Sequence, residues 1–229
     1  MISIILSSFN EINNPIFWTN LAELKGRGEL IVIDGGSTDA TLEKLGESKV
    51  AHQVVVNSNR GQRFNIGIRQ ATGRMILLVH PRSLVSQIAL LKLEVLEPRP
   101  VWGALTHTFD DEHPLFKFTS WYSNRIRGDW RGIYYLDHCL FFSDDLKAYA
   151  QFPDAEIFED TVFCQRLGKI VKPIRLPIKV VTSSIRFRRN GLWRQSLMNQ
   201  ILKVLFFIGA SQHFMNKVYE KGLSLNMKK

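Results

Sequence analysis

The chain alternates two hydrophobic patterns. Short continuous apolar runs, Ile2–Leu6, Leu30–Ile33, Val54–Val56 and Met75–Val79, have the length of strands buried on both faces. Between them apolar residues recur every three or four positions, at Trp18, Leu21, Ala22 and Leu24 and again at Phe64, Ile68 and Ala71, the spacing of helices with one buried face. This alternation predicts an α/β fold with a mainly parallel sheet flanked by helices. Right-handed crossovers bring the loops after such strands to one rim, where ligands bind. That rim is polar here: Ser7, Ser8, Asn10 and Glu11 follow the first run, Asp34 to Asp39 the second, and His80 to Ser83 the fourth.

Beyond the fourth run the pattern changes. From Trp102 to about Phe158 the chain is irregular and rich in aromatics, among them Trp121, Tyr122, Trp130, Tyr134, Tyr135, Phe141 and Phe142. We read it as added strands and helices that cover the cleft. The stretch "EDTVFCQRLGKI" places Val162, Phe163, Arg166 and Leu167 at helical spacing and predicts a helix after Glu159 that ends at Gly168. After "TSSIRFRRNG" an amphipathic helical tail is expected up to about Tyr219. The expected organisation is one domain over residues 1–190, with a helical tail over 191–229 packed on it.

Composition narrows the partners. At 229 residues and 45% hydrophobic content the chain can bury one substantial core. Its 30 Lys and Arg against 21 Asp and Glu give a net charge of +9, suited to a nucleotide, a nucleic acid or an acidic membrane surface. No nucleic-acid-binding module is visible, so nucleic acid is not the expected partner. Cys139 and Cys164 lie far apart and lack CxxC or Cys/His spacing, so neither a disulfide scaffold nor a zinc site is expected, and a reducing cytoplasm fits best. The N-terminus reads as a first strand and not a secretion signal, and Val204–Ala210 is too short to span a bilayer.

Several segments carry chemistry. In "IDGGSTDAT", Asp34 at a strand end can accept hydrogen bonds from a base or ribose, the glycines allow close backbone approach, and Ser37 or Thr38 can cap the next helix. The same residues would also make an ordinary strand–turn–helix junction. In "RGQRFNIG", Arg60 and Arg63 near a helix start suit a diphosphate. Glu159 and Asp160 fit either proton transfer or an acidic pair favoured by a helix N-terminus.

The segments "SIILSSFNE", "IDGGSTDAT", "NRGQRFNIGIRQATGRMILLVH" and "FEDTVFCQRL", in this order, resemble the nucleotide-sugar-dependent glycosyltransferases of family 2, which have the GT-A fold. The similarity is greatest to a bacterial branch with an Arg-Gly segment, an Asn-x-Gly helix and a strand ending in His, and it spans Ile2 to about Tyr219. It implies inverting transfer of a sugar from a nucleoside diphosphate sugar to the hydroxyl of an unknown sugar or lipid-linked acceptor, in cell-envelope polysaccharide synthesis. Ser7, Phe9, Glu11, Asp34 and Gly35 would line the nucleotide pocket. Gly35 stands where the commonest family pattern has a second aspartate. Asp160 would be the base, with Glu159 beside it, Arg186 followed by Phe187 would close over the diphosphate, and Asp137 and His138 would face the acceptor.

One departure from the family stands out. In "VHPRS" the position of the metal-binding Asp of the DxD-like motif is Arg82. An arginine cannot ligate Mg2+ or Mn2+. Either Arg60, Arg63, Arg82 and Arg186 hold the leaving group without a metal, or the chain binds nucleotide sugars without turnover. His80 remains a candidate metal ligand. Trp193, Leu197, Ile201 and Phe206 lie beside basic residues, which fits either peripheral contact with the inner face of a membrane or an ordinary packed helix.

Overall fold

The computed structural model describes residues 1–155 and 157–221. The early apolar runs become neighbouring parallel strands, β1 (Ile2–Ser8), β2 (Glu29–Asp34), β3 (His52–Val54) and β4 (Met75–Val79). The sheet has eight strands in the order β3-β2-β1-β4-β7-β6-β8-β5, where β5 is Ser83–Leu84, β6 Trp102–Phe109, β7 Leu140–Ser143 and β8 Ile174–Thr182. β7 runs antiparallel to β4 and β6, β6 and β8 are parallel, and β5 is antiparallel to β8. The expected mixed, mainly parallel α/β sheet is therefore present. β3 begins two residues before its apolar run, because backbone pairing with Val32–Asp34 sets its bounds at this exposed edge.

Alternation along the buried strands builds two cores. Ile2, Ile4, Leu6, Met75, Leu77 and Val79 face α1 (Pro15–Leu24), α2 (Thr41–Glu47) and α4 (Gln87–Glu94) through Phe17, Leu21, Leu45 and Leu90. Ile5, Ile76 and Leu78 face the other way, onto Phe64 and Ile68 of α3 (Arg60–Gln70) and Phe163 and Leu167 of α6 (Glu159–Gly168). Burying each such side chain contributes roughly 1.5–3 kcal/mol. Gly67 lets α3 sit close on β1, since a Cβ there would overlap the Ile5 side chain.

The aromatic middle is ordered. After β6 come α5 (Pro114–Tyr122), a π-helical segment Ser123–Trp130, and a tight turn Leu136–His138 that leads into β7. Trp102 is fully buried, and its indole N–H donates to the Val171 carbonyl at 2.7 Å. The tail consists of α7 (Ile185–Asn190), α8 (Leu192–Phe207) and α9 (Gln212–Lys221). α8 packs through buried Leu202 and through Phe206, whose ring centroid is 4.6 Å from that of Phe158. Of the expected tail, residues 222–229 lie outside the described residues.

Candidate active site

The loops after β1, β2 and β4 meet at one rim, as parallel topology requires. Asp34 shapes this rim from within. It is fully buried; Oδ1 accepts from the backbone N–H of Gly36 at 2.8 Å and of Ser37 at 2.7 Å, and Oδ2 accepts from the Ser37 hydroxyl at 2.7 Å. Its carboxylate is thus committed to its own loop, and the buried Gly35 ties that loop to β1 by donating its N–H to the Ser8 carbonyl at 2.9 Å. Ser37 and Thr38 do not cap α2. The Ser37 hydroxyl accepts from the Asn10 backbone, the Thr38 N–H donates to Asn10 Oδ1, and Asp39 Oδ1 receives the Thr41 N–H at 3.0 Å.

Arg63 lies beneath the same rim. Its Nε donates to the Ser7 hydroxyl at 2.9 Å and its Nη1 to the Ser58 carbonyl at 2.6 Å. The guanidinium carbon lies 5.7 Å from the centre of the half-exposed Phe9 ring, and a Cβ on Gly35 would overlap Nη1. Burial, with Arg60 nearby, lowers its pKa to about 10. Glu11 lies beside it. Its carboxylate accepts from Asn14 Nδ2 at 2.6 Å, and burial raises its pKa against the pull of Asn14, Arg82 and Arg63.

Arg60 opens α3 and reaches across to the opening residue of α6: Nε lies 2.7 Å and Nη2 2.6 Å from Glu159 Oε1. Two residues of the Asn-x-Gly segment hold α3 in place. Asn65 pins the Phe152 backbone, donating to its carbonyl at 2.9 Å and accepting its N–H at 2.8 Å, while Gly67 seats α3 on β1. Asn59 caps α3 in a reciprocal pair with Gln62, and both donate to Asp154 in the loop before α6.

Glu159 and Asp160 are both buried. Asp160 Oδ2 accepts the Leu136 N–H at 3.2 Å, and Glu159 Oε2 has no hydrogen-bond partner. Burial and the adjoining Glu159 raise the Asp160 carboxyl to about 7, although Arg60 opposes the shift. Phe158, just before the pair, has a left-handed backbone with φ of 59°, which is costly for an aromatic residue and turns the chain abruptly into α6.

The end of β4 is cationic. His80 lies among Arg60, Arg82 and Arg186, and burial and Arg60 lower its pKa to about 3. Its Nδ1 accepts the Arg82 N–H at 3.2 Å, and its Nε2 is 3.4 Å from Arg60 Nη1. The Arg82 carbonyl accepts the Ser183 N–H at 3.0 Å, tying this strand end to the segment that carries Arg186. Burial, Arg82 and Arg60 lower the pKa of Arg186 to about 9. Among the described residues no group of three or more His, Cys, Asp or Glu is arranged to hold a metal ion. With one ring nitrogen of His80 occupied, the other facing a guanidinium and arginines around it, this donor set does not fit a divalent cation.

The acceptor-side residues separate. The Asp137 side chain is 29% exposed, with Oδ2 3.6 Å from His107 Nε2 and Oδ1 buried without a hydrogen-bond partner. Burial would raise its pKa, but His107, His138 and Arg127 hold it down at about 2. His138 does not reach the surface. It is fully buried, Nδ1 lies 3.2 Å from the Leu105 carbonyl and Nε2 lies 2.7 Å from the Ser123 hydroxyl, and burial lowers its pKa to about 3. The expected acceptor contact is thereby corrected, because both ring nitrogens are used in packing the π-helical segment on β6. Sequence reasoning missed Arg127, whose guanidinium carbon lies 3.4 Å from the centre of the Tyr135 ring.

The fold has solved counterparts. The mannosyltransferase PcManGT from Pyrobaculum calidifontis, in complex with GDP-Man and Mn2+, superposes with a TM-score of 0.64 at 17% identity, over 98% of this chain and 70% of that one. The chain has the GT-A fold. Glucosyl-3-phosphoglycerate synthase from Mycobacterium tuberculosis, in complex with Mn2+, UDP and phosphoglyceric acid, superposes with a TM-score of 0.60 at 14% identity, over 92% of this chain and 79% of that one. TarS of S. aureus gives 0.56 at 14% identity over the whole chain and 44% of its own length. No protein-family model and no curated protein sequence matches the chain. In the GT-A arrangement the polar rim described above is the strand-end cleft of the sheet.

Proposed function

We propose that this chain is an inverting glycosyltransferase of family 2 that uses a nucleoside diphosphate sugar and needs no metal. The observation that carries this reading is Asp160: a buried carboxyl raised to about 7, one residue from the Glu159–Arg60 ion pair and beside a group of arginines. A general base works best when its pKa lies near the operating pH. In the transfer, Asp160 takes the proton of the acceptor hydroxyl as that oxygen bonds to the anomeric carbon. The bond from this carbon to the diphosphate oxygen breaks on the opposite face, and the electron pair leaves with the nucleoside diphosphate. Arg60, Arg82 and Arg186 neutralise the growing charge, the task that a divalent cation performs elsewhere.

The nucleoside would lie over Gly35 and Phe9, on the floor made by Arg63 and Ser7, with Glu11 at its side. Asp34 acts by holding the loop. Asp137, whose side chain is partly exposed, would face the acceptor. Calorimetric titration with UDP, GDP and dTDP and their sugar conjugates, with and without manganese, tests this reading. Metal-independent binding followed by sugar transfer supports it, whereas binding without turnover under any acceptor favours a non-catalytic nucleotide-sugar binder.

The tail fits attachment at the inner face of a membrane. Trp193, Leu197, Ile201, Val204 and Ile208 are all exposed and fall on one face of α8 and its end, with Trp193 74% exposed. Phe206 points inward to Phe158 and is not part of this face. Arg189 and Arg194, both exposed, supply charge for anionic lipid. Among the described residues no helix is long and apolar enough to cross a membrane.

A further inference from the structure

A second group of cations stands beyond Asp160, apart from the donor arginines. Arg127 hydrogen-bonds the Ser123 hydroxyl and stacks on Tyr135, and its buried Nε has no hydrogen-bond partner. Arg131 places its guanidinium 5.4 Å from the Phe207 ring centre. Lys203, on α8, has its ammonium 5.7 Å from the Tyr122 ring centre and donates to Gln200 Oε1 at 3.4 Å. Among the described residues none of the three forms an ion pair with a carboxylate. Burial, Arg127 and Arg131 together lower the pKa of Lys203 to about 8.

Like charges gathered on a half-buried surface oppose folding unless a counter-charge completes them. The neighbourhood indicates where that counter-charge arrives. Asp137 is within electrostatic reach of both Arg127 and Lys203, and Asp160 is within reach of both Arg127 and Arg60. The base is flanked by two cationic groups, and a donor diphosphate on Arg60, Arg82 and Arg186 occupies only the first.

We propose that the acceptor is itself anionic, carrying a phosphate that Arg127, Arg131 and Lys203 hold while its hydroxyl is presented to Asp160. This rests on the transferase reading above. The rings of Tyr135, Tyr122 and Phe207 back the three cations, so the site is partly built before the ligand arrives. The phosphate could belong to a soluble ester or to a lipid, since α8 carries Lys203 beside its exposed apolar face.

The test uses the full chain saturated with whichever nucleoside diphosphate it binds, so that the donor arginines are occupied. Glycerol 3-phosphate, glycerol, and phosphatidylcholine vesicles with and without phosphatidic acid are then titrated in turn. Saturable binding of glycerol 3-phosphate but not glycerol, weakened about tenfold or more by Lys203→Met with nucleotide affinity unchanged, supports the proposal. Vesicle binding that needs phosphatidic acid, falls in Lys203→Met and is displaced by glycerol 3-phosphate supports a lipid-borne phosphate. No saturable binding of either anion, or equal binding by Lys203→Met, overturns it. If no nucleotide binds, the donor reading fails and the titration is run on the free protein. Loss of glycerol 3-phosphate binding in Lys203→Met but not in Arg82→Met then still supports the anion site, and the reverse contradicts it.

Discussion

Arg60 and Glu159 open two different helices and are joined through one carboxylate oxygen, with Arg60 Nε at 2.7 Å and Nη2 at 2.6 Å from Glu159 Oε1. The pair couples the helix expected to bind the donor to the helix that carries the proposed base. Glu159 also repels charge on Asp160 and so helps to raise its pKa. Glu159→Gln should therefore move the acidic limb of the pH–rate profile below its wild-type position near 7 and leave Arg60 without its partner. A profile that stays in place would show that Glu159 does not tune Asp160.

Asp160→Asn should lower transfer by about 10²–10⁴-fold, the usual worth of a positioned base, while leaving nucleotide affinity nearly intact. The same change should stabilise the fold at alkaline pH. A carboxyl whose folded pKa is about 7 against an unfolded value of 3.8 binds extra protons in the folded state between these values, so wild-type stability falls as pH rises through that window. Thermal unfolding of Asp160→Asn at pH 8 should come a few degrees above wild type, about 2–4 °C for each kcal/mol, with a smaller difference at pH 4.

Gly35→Ala tests the pocket floor. The new methyl would overlap Arg63 Nη1 and come within 3.0 Å of Phe9 Cδ2, so Arg63 must leave its bonds to Ser7 and the Ser58 carbonyl. Nucleotide binding should weaken by roughly tenfold or more, as expected for disrupting charge-assisted hydrogen bonds. Unchanged affinity would place the nucleoside elsewhere.

The apolar face of α8 predicts membrane attachment. Flotation with anionic vesicles should carry the wild-type chain and weaken with added salt, and a Trp193→Glu, Ile208→Glu double variant should stay behind. Equal flotation of both proteins would assign that face to another partner.

Much of this was legible in the sequence because the relevant residues act locally. β1, β2 and β4 are continuous apolar runs, and α6 and α8 lie where helical spacing places them. What escaped depends on distant partners. His138 looked like a rim residue, yet Ser123 and Leu105 engage it inside the core. Asn65 and Gly67 carried the resemblance as an Asn-x-Gly pattern, while only their distant contacts with Phe152 and Ile5 show what they pack against. Phe206 looked like part of an exposed stripe until Phe158 came to lie against it. Arg127 sits in a π-helical turn that no periodicity announces.

The proposed replacement of the metal by arginines rests on Arg60, Arg82 and Arg186. Its most direct test is calorimetric titration of the wild-type chain and Arg82→Met with UDP, GDP and dTDP, in EDTA and again in manganese. The account predicts that one nucleotide binds wild type equally in both conditions and binds Arg82→Met about tenfold or more weakly. Binding that appears only with manganese, or that Arg82→Met leaves unchanged, would contradict it.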